Sequence, residues 1–476
     1  MLNVCVWFPV VVAFSMAAAA CTKDNPRSCA DGTCSDPAFP FCDADGAFGG
    51  VPDACIAVSC TPQAFEACRG DQAISCSGDG TDYDLLQCQL GCDVAAGGCR
   101  ECTSVEQCSN PAPVCDEGTS HCRACRRDDE CPSLVCAQES GACVPESDVV
   151  YASQTGIGQC SRSSPCSLSR AVMVATTSFP SPIVRLLPET FTSSLRVGQS
   201  QTVNIVATGA SIIPADASPA MEVTDGGAVT IRGVRLTQIT PISCKSTVSA
   251  RSTVSLRDAA LFVLGNTVAL DLSRCSLVLS NTDIEMNGSE IVAGMADDTT
   301  LHGDRLNIHG STSHYIFASG SRMELQLTNS RLVDVGFALH STDTAAPGTV
   351  FTLAQDTLAF SLQSSLGCDT TPSAFLKVRY ENAIIASLGP FDPVTGTNCS
   401  FTNTLLSRQS SPPSGTLVGD PEFVDPTMRD YHLKATSAAI DAAVPSLYGL
   451  DASVDLDGTS RPQGVMPDLG AYERVP

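Results

Sequence analysis

The sequence has one tryptophan, Trp7, and only 5% aromatic residues. Proteins that bind or cleave sugars usually stack rings on them, yet between Val203 and Ile385 the only tyrosines are Tyr315 and Tyr380. Basic residues are also scarce: 27 Lys and Arg face 51 Asp and Glu, for a net charge of -24. With no basic stripe to neutralise phosphates, nucleic acid is not an expected partner. An acidic surface also repels anionic polysaccharides unless a cation bridges them. Charged residues make up 16% against 43% hydrophobic, which fits a packed fold rather than a disordered one. Past the first twenty residues no apolar run is long enough to cross a bilayer.

What is present in quantity is a repeat. Seven copies of one pattern, about 24 residues apart, begin at Val229, Val254, Leu277, Leu301, Leu325, Phe351 and Val378. Apolar residues occupy positions one, three and eight, as in Leu277-Val-Leu-Ser-Asn-Thr-Asp-Ile284. Such alternation suits a strand with one buried face. No copy can bury that face alone, but stacked copies share a continuous apolar column. Strand, tight turn and strand make two walls of a coil. Runs such as Thr267–Leu272, Glu290–Ala293 and Tyr315–Ala318 supply a third. The fifth position carries Asp258, Asn281, Arg305, Asn329, Gln355 and Asn382 after Gly233. Asn and Asp tolerate left-handed backbone, and stacked coil on coil they can form a hydrogen-bonded ladder. This pattern resembles the right-handed parallel β-helix (pectate-lyase-like) superfamily, whose members carry such ladders. The expected fold is therefore all-β, a right-handed parallel β-helix preceded by a small disulfide-rich region.

The first twenty residues read as an export signal. Ala18-Ala19-Ala20-Cys21 resembles the lipobox of bacterial lipoproteins, departing from it in Ala18 and in lacking a preceding Lys or Arg. The resemblance implies lipid on Cys21, and Lys23 two residues later implies the outer membrane; plain secretion is the other reading. Setting aside Cys5 and Cys21 leaves 24 of the 26 cysteines, an even number that in an exported chain means disulfides. Cys102, Cys108, Cys115 and Cys122 form one unit, and Cys125, Cys131, Cys136 and Cys143 the next. The segment around Cys34 and Cys42 echoes the first, while Cys60 to Cys99 is spaced differently. Cys99-Arg-Glu-Cys102 and Cys122-Arg-Ala-Cys125 have zinc-site spacing, but disulfides suit an oxidising compartment better. The region resembles the cysteine-rich modules of myxobacterial surface lipoproteins, which implies a spacer or binding surface. Cys160 and Cys166 are close enough to close a small loop, and Cys244 with Cys275, or Cys368 with Cys399, to staple neighbouring coils. Ser167 is expected to cap a short helix with Leu168, Ala171, Val172 and Ala175 on one face.

The expected divisions are a signal over 1–20, cysteine-rich repeats over 21–147, the β-helix over 148–418 and a C-terminal cap over 419–476. That last segment holds Gly419-Asp-Pro-Glu-Phe, Asp430-Tyr-His-Leu433, Asp455-Leu-Asp-Gly458 and Asp468-Leu-Gly-Ala-Tyr-Glu473. In this order they closely resemble the C-terminal segment of "choice-of-anchor Q" β-helix proteins. Asp455 and Asp457 beside Gly458 have the character of a calcium loop, or of partners for Arg461; no other cofactor is expected.

Catalytic chemistry is hard to find. Asp304, Arg305 and Arg379 are the lyase-like candidates. Asn281-Thr-Asp283 with Asp297, Asp298 and His302 resembles part of a polygalacturonase set. Carboxylates that flank one glycosidic bond must lie within about 10 Å, whereas Asp283 and Asp297 fall on different walls. His302, His309 and His314 lie within one coil without a ligand spacing that compels a metal. The expectation is a non-catalytic display rod, tethered to a membrane by lipid and meeting polysaccharide or cell-envelope components. The competing reading is a polysaccharide lyase or hydrolase.

Overall fold

The computed structural model describes residues 28 to 476 except 30–31, 47, 49–50, 179–180, 199, 248–249, 266–267, 289–290, 311–313, 344–347, 362–365, 369–375, 447–448 and 451. Cys21 and the signal lie outside the described residues. By its internal contacts the chain forms two units, Met1–Arg126 with Ala137–Ala142, and Arg127–Cys136 with Cys143–Pro476.

The first unit is short strands held by sulfur. Cys29 pairs with Cys42 and Cys34 with Cys55; Cys102 pairs with Cys115 and Cys108 with Cys122. Both modules thus join first to third and second to fourth cysteine, around hairpins Phe41–Asp43 with Ala54–Ile56 and Val114–Asp116 with His121–Arg123. Between them a three-stranded antiparallel sheet, Phe65–Arg69, Gln72–Cys76 and Tyr83–Gln87, carries the interlaced bridges Cys60–Cys76, Cys68–Cys92 and Cys88–Cys99. Cys99 and Cys102 therefore bond away from each other, and neither offers a thiolate to zinc. In the second unit Cys131 joins Cys143. Cys125 and Cys136 are disulfide-bonded as well.

The second unit is a parallel β-solenoid of about eight coils. Residues at position one of each copy are register partners from coil to coil: Val203, Val229, Val254, Leu277, Leu301, Leu325, Phe351 and Val378. All are buried. Position eight makes a second file from Ile212 through Leu261, Ile308 and Leu358 to Leu406. Each aliphatic side chain taken fully out of water contributes about 1.5–3 kcal/mol, so cohesion lies between coils rather than within one. The third wall is a seven-stranded sheet that includes Val268–Ser273, Ile291–Met295 and His314–Gly320. Cys244–Cys275 and Cys368–Cys399 are stapled as disulfides.

At position three the file has a gap, because Gly303 carries no side chain there. Leu306 and Leu327 fill it: a Cβ on Gly303 would meet them at 2.5 and 2.8 Å. The rod opens on Val149–Ala152 paired to Ile183–Leu186. Helix Leu168–Thr177 follows Cys160–Cys166, with Ser167 accepting from Arg170 N and Leu168, Ala171, Val172 and Ala175 buried. Segment 127–136 packs here too. Asp128 accepts from Arg232 and from Thr208 Oγ1 (2.7 Å), and the Tyr151 hydroxyl donates to the Ser133 carbonyl (2.9 Å).

The described residues among the last 58 run back along the flank of the second wall. Phe423, Tyr431, Leu433, Leu469 and Ala471 cover Val333, Ala359, Ile384, Ala386 and Leu405 in a second apolar cluster. The cause is that these rod residues are apolar on an outward-facing surface and need cover. Gly470 N donates to the Asn382 carbonyl (2.9 Å), at an approach so close that a Cβ on Gly470 would meet Thr357 and Ile384 below 3 Å.

Candidate functional site

Where this strap meets the turn between first and second walls, a polar cleft of about 530 Å³ opens. The rod contributes Asn281, Asp283, Arg305, Asn307 and Arg331; the strap contributes Arg429, Asp430, His432, Leu456, Asp457 and Tyr472.

The turn positions the rod side. Asp258, Asn281, Arg305, Asn329, Gln355, Asn382 and Asn403 all adopt positive φ, between 47° and 55°. Two pairs of rungs are bonded side chain to side chain, the later donating to the earlier: Asn281 Nδ2 to Asp258 Oδ1 (2.6 Å), and Asn403 Nδ2 to Asn382 Oδ1 (2.9 Å). Asn403 is a rung that the sevenfold pattern stopped short of. Gln355 and Asn382 are also engaged by the strap, through Ala452 N (2.9 Å) and Val444 N (3.0 Å). Past the turn, Asn307 Nδ2 donates to Asp283 Oδ1 (2.6 Å) and accepts from Arg331 Nε (2.8 Å). His309 Nε2 lies 3.2 Å from the same Asp283 oxygen, and its Nδ1 is 2.9 Å from Arg429 Nη1. One imidazole proton, on Nε2, satisfies both contacts.

On the strap, His432 is held between two carboxylates, with Nδ1 2.7 Å from Asp430 and Nε2 2.7 Å from Asp457. Both ring nitrogens must carry protons to donate both ways, which makes the ring a cation. The Asp457 hydrogen bond, reinforced by Asp430 against the opposing effect of burial, raises its pKa to about 9. Burial alone would push Asp430 up, but the His432 hydrogen bonds bring it below its usual value. The Tyr472 ring lies 4.3 Å from the His432 ring, and burial takes its phenol up to about 12. Its oxygen is 3.1 Å from Arg331 Nη1. Arg305 Nε donates to Asp304 Oδ2 (3.2 Å). Four cations (Arg305, Arg331, Arg429 and His432) thus stand against four carboxylates (Asp283, Asp304, Asp430 and Asp457).

The other residues singled out by sequence are dispersed. Arg379 pairs in register with Thr352, and Thr352 with Gln326, which leaves it coils away from Asp304. Asp297 follows the third wall, away from Asp283, and takes Ser321 N (2.7 Å). His302 lies beside Glu324 (3.4 Å) while His314 is buried in the third wall, so the three histidines do not converge. Asp455 and Asp457 also part company. Asp455 accepts the backbone N–H groups of Asp457, Thr459 and Glu473 (2.7 to 3.0 Å), whereas Asp457 turns to His432. Neither carboxylate is hydrogen-bonded to Arg461. That arginine is buried against Glu473 (3.2 Å) and the carbonyls of Asp468 and Gly470. The recurring acids of this segment therefore knot the strap together.

Fold and cleft define a class, a disulfide-rich parallel β-solenoid whose flank is strapped by its own C-terminal segment. The disulfides mark an oxidising, exported setting. Among the described residues no helix is long and apolar enough to cross a membrane. No family model matches the chain. No curated protein matches it either. Among solved structures it is similar to that of pectate lyase Pel9A, with 16% identity and a TM-score of 0.35, over 68% of this chain and 96% of that one. A likeness at that level carries no argument about the cleft.

Proposed function

We propose that the protein is a non-catalytic, exported β-solenoid that binds carbohydrate in the cleft, held at the membrane by lipid on Cys21. One observation carries the non-catalytic part: every carboxylate lining the cleft already holds a neighbouring side chain through one of its oxygens. Asp430 and Asp457 hold His432 at 2.7 Å each, and Asp283 holds Asn307 and His309. Glycoside cleavage needs one carboxyl that keeps its proton and a second that is free to attack or to activate water. Asp430 moves the opposite way, towards stronger acidity. A cleft rich in fixed donors and acceptors suits binding of a hydroxylated ligand.

The test is to screen the full chain on a glycan array and to incubate it with polysaccharides, uronic-acid polymers included. Retention of glycan without chain cleavage supports the reading. Cleavage that disappears in Asp283→Asn would replace it with an enzyme. For the tether, Cys21→Ala should move the protein from the membrane fraction to the soluble one; an unchanged distribution removes the lipid from the proposal.

A further inference from the structure

We infer that Arg305 is the ligand-contacting residue of the cleft and that the ligand is an uncharged sugar with a vicinal diol. This rests on the carbohydrate-binding reading above and narrows it.

Arg305 stands at a ladder rung: its neighbours in sequence pair Ser280 with Asp304 and Asp304 with Thr328, which sets it between Asn281 and Asn329. Its φ is +54°, a conformation that asparagine accepts and arginine rarely does. An asparagine there would extend the bonded pair Asp258–Asn281 by one rung, donating to Asn281 and accepting from Asn329. A guanidinium has five donors and no acceptor. Asn329 Nδ2 instead reaches sideways to Asp304 Oδ1 at 3.5 Å. A cationic side chain at a turn otherwise given to Asn, Asp and Gln is a departure from local rule that marks function or strain, and it falls at a rung that lines the cleft.

What the arginine gains is an open fork. Asp304 fixes Nε, and the two Nη groups have no partner among the described residues. Asp283 Oδ2 and Asp457 Oδ1, in the same cleft, also lack one, since their bonds use the other oxygen. Donors and carboxylate acceptors facing one space match adjacent hydroxyls, each of which gives and takes a hydrogen bond. Charge decides against an anionic ligand. The cleft's four cations face Asp283, Asp430 and Asp457 in the lining and Asp304 bound to Arg305 behind it, and the chain as a whole carries -24, so an acidic sugar gains little net attraction and meets repulsion outside.

The experiment titrates the full chain with methyl α-mannopyranoside, methyl β-galactopyranoside, a 3-deoxy glycoside and methyl α-galacturonide, read by calorimetry and saturation-transfer NMR. A neutral glycoside should bind at least tenfold more tightly than the deoxy sugar and the uronide. Arg305→Asn should weaken it at least tenfold while raising the melting temperature by about 2 °C, because the ladder is rejoined. Arg305→Gln should lose binding without that rise. Uronide binding as tight as neutral binding overturns the ligand class. Full neutral binding by R305Q overturns the role of Arg305, whatever R305N does, and leaves the carbohydrate reading standing. If the wild type retains nothing on the array, the wider reading fails as well.

Discussion

Between Cys29 and Cys122, seven disulfides fasten a stretch whose buried apolar side chains other than cysteine are Phe41, Ala73, Ile74 and Val114 among the described residues. From Val149 to Leu406 the proportions reverse. Stacked files run the length of the rod, and the described residues show three disulfides there, Cys160–Cys166, Cys244–Cys275 and Cys368–Cys399. In the modules, chain entropy is removed covalently because there is too little apolar surface to remove it otherwise. In the rod each coil supplies the missing half of its neighbour's core. Sulfur is constitutive in one region and supplementary in the other.

The sharpest way to break that comparison is to reduce the protein. With dithiothreitol the cysteine modules should lose their structure altogether and be digested by trypsin, while a fragment containing the rod resists. Equal digestion of both would show that the rod, too, depends on its bridges. Truncating the file comes next. Leu325→Ala removes a buried side chain stacked between Leu301 and Phe351 and should cost about 2–5 kcal/mol in denaturant unfolding. A smaller effect is expected from replacing both Cys244 and Cys275 by alanine. The loop closed is 31 residues, for which chain entropy alone gives about 3–4 kcal/mol. The stacked core already holds those ends together, so a loss of about 1–2 kcal/mol should be measured. A loss exceeding that of Leu325→Ala would reverse the ranking of core over sulfur.

The rod was legible because burial repeats once per coil, so Leu277, Leu301 and Leu325 announce their own stacking at about 24 residues per turn. The repair at Gly303 was not, since nothing local says that Leu306 will turn inward. The cleft was half legible. Asp283 and Arg305 stood out, but Arg429, His432 and Tyr472, which line the cleft with them, lie more than a hundred residues away on a segment with no period. A signal for that segment's place does exist. The residue after position eight is Thr237, Phe262, Glu285 and His309 in the first four copies, then Val333, Ala359 and Ala386. Apolar residues on a face that alternation turns outward mark where something must lie. Asp455 and Asp457 suggested calcium or a salt bridge to Arg461 because sequence shows their charge and not their direction.

The strap differs from both regions, with neither sulfur nor a repeating file, and the half-exposed ionic cluster of His432 with Asp430 and Asp457 gives the smallest expected effect. His432 has a folded pKa of about 9 against about 6.5 for an unperturbed histidine. A raised value means that the folded strap binds the proton more tightly than the unfolded chain does. The stabilisation is therefore complete below about pH 6.5 and is lost as pH climbs through 9. Nearly half of the side chain is exposed, so screening reduces the nominal linkage to about 1 kcal/mol. Hydrogen exchange at Tyr431 and Tyr472 should thus accelerate several-fold between pH 6 and pH 10, after correction for the intrinsic rate, while amides at Leu277 and Leu325 in the rod hold theirs. His432→Gln should flatten the strap's profile, because a glutamine cannot be charged between Asp430 and Asp457. The same slope in that variant would mean that the strap is held by Val333, Ile384 and Leu405 alone, and that it belongs with the rod in resting on apolar contact.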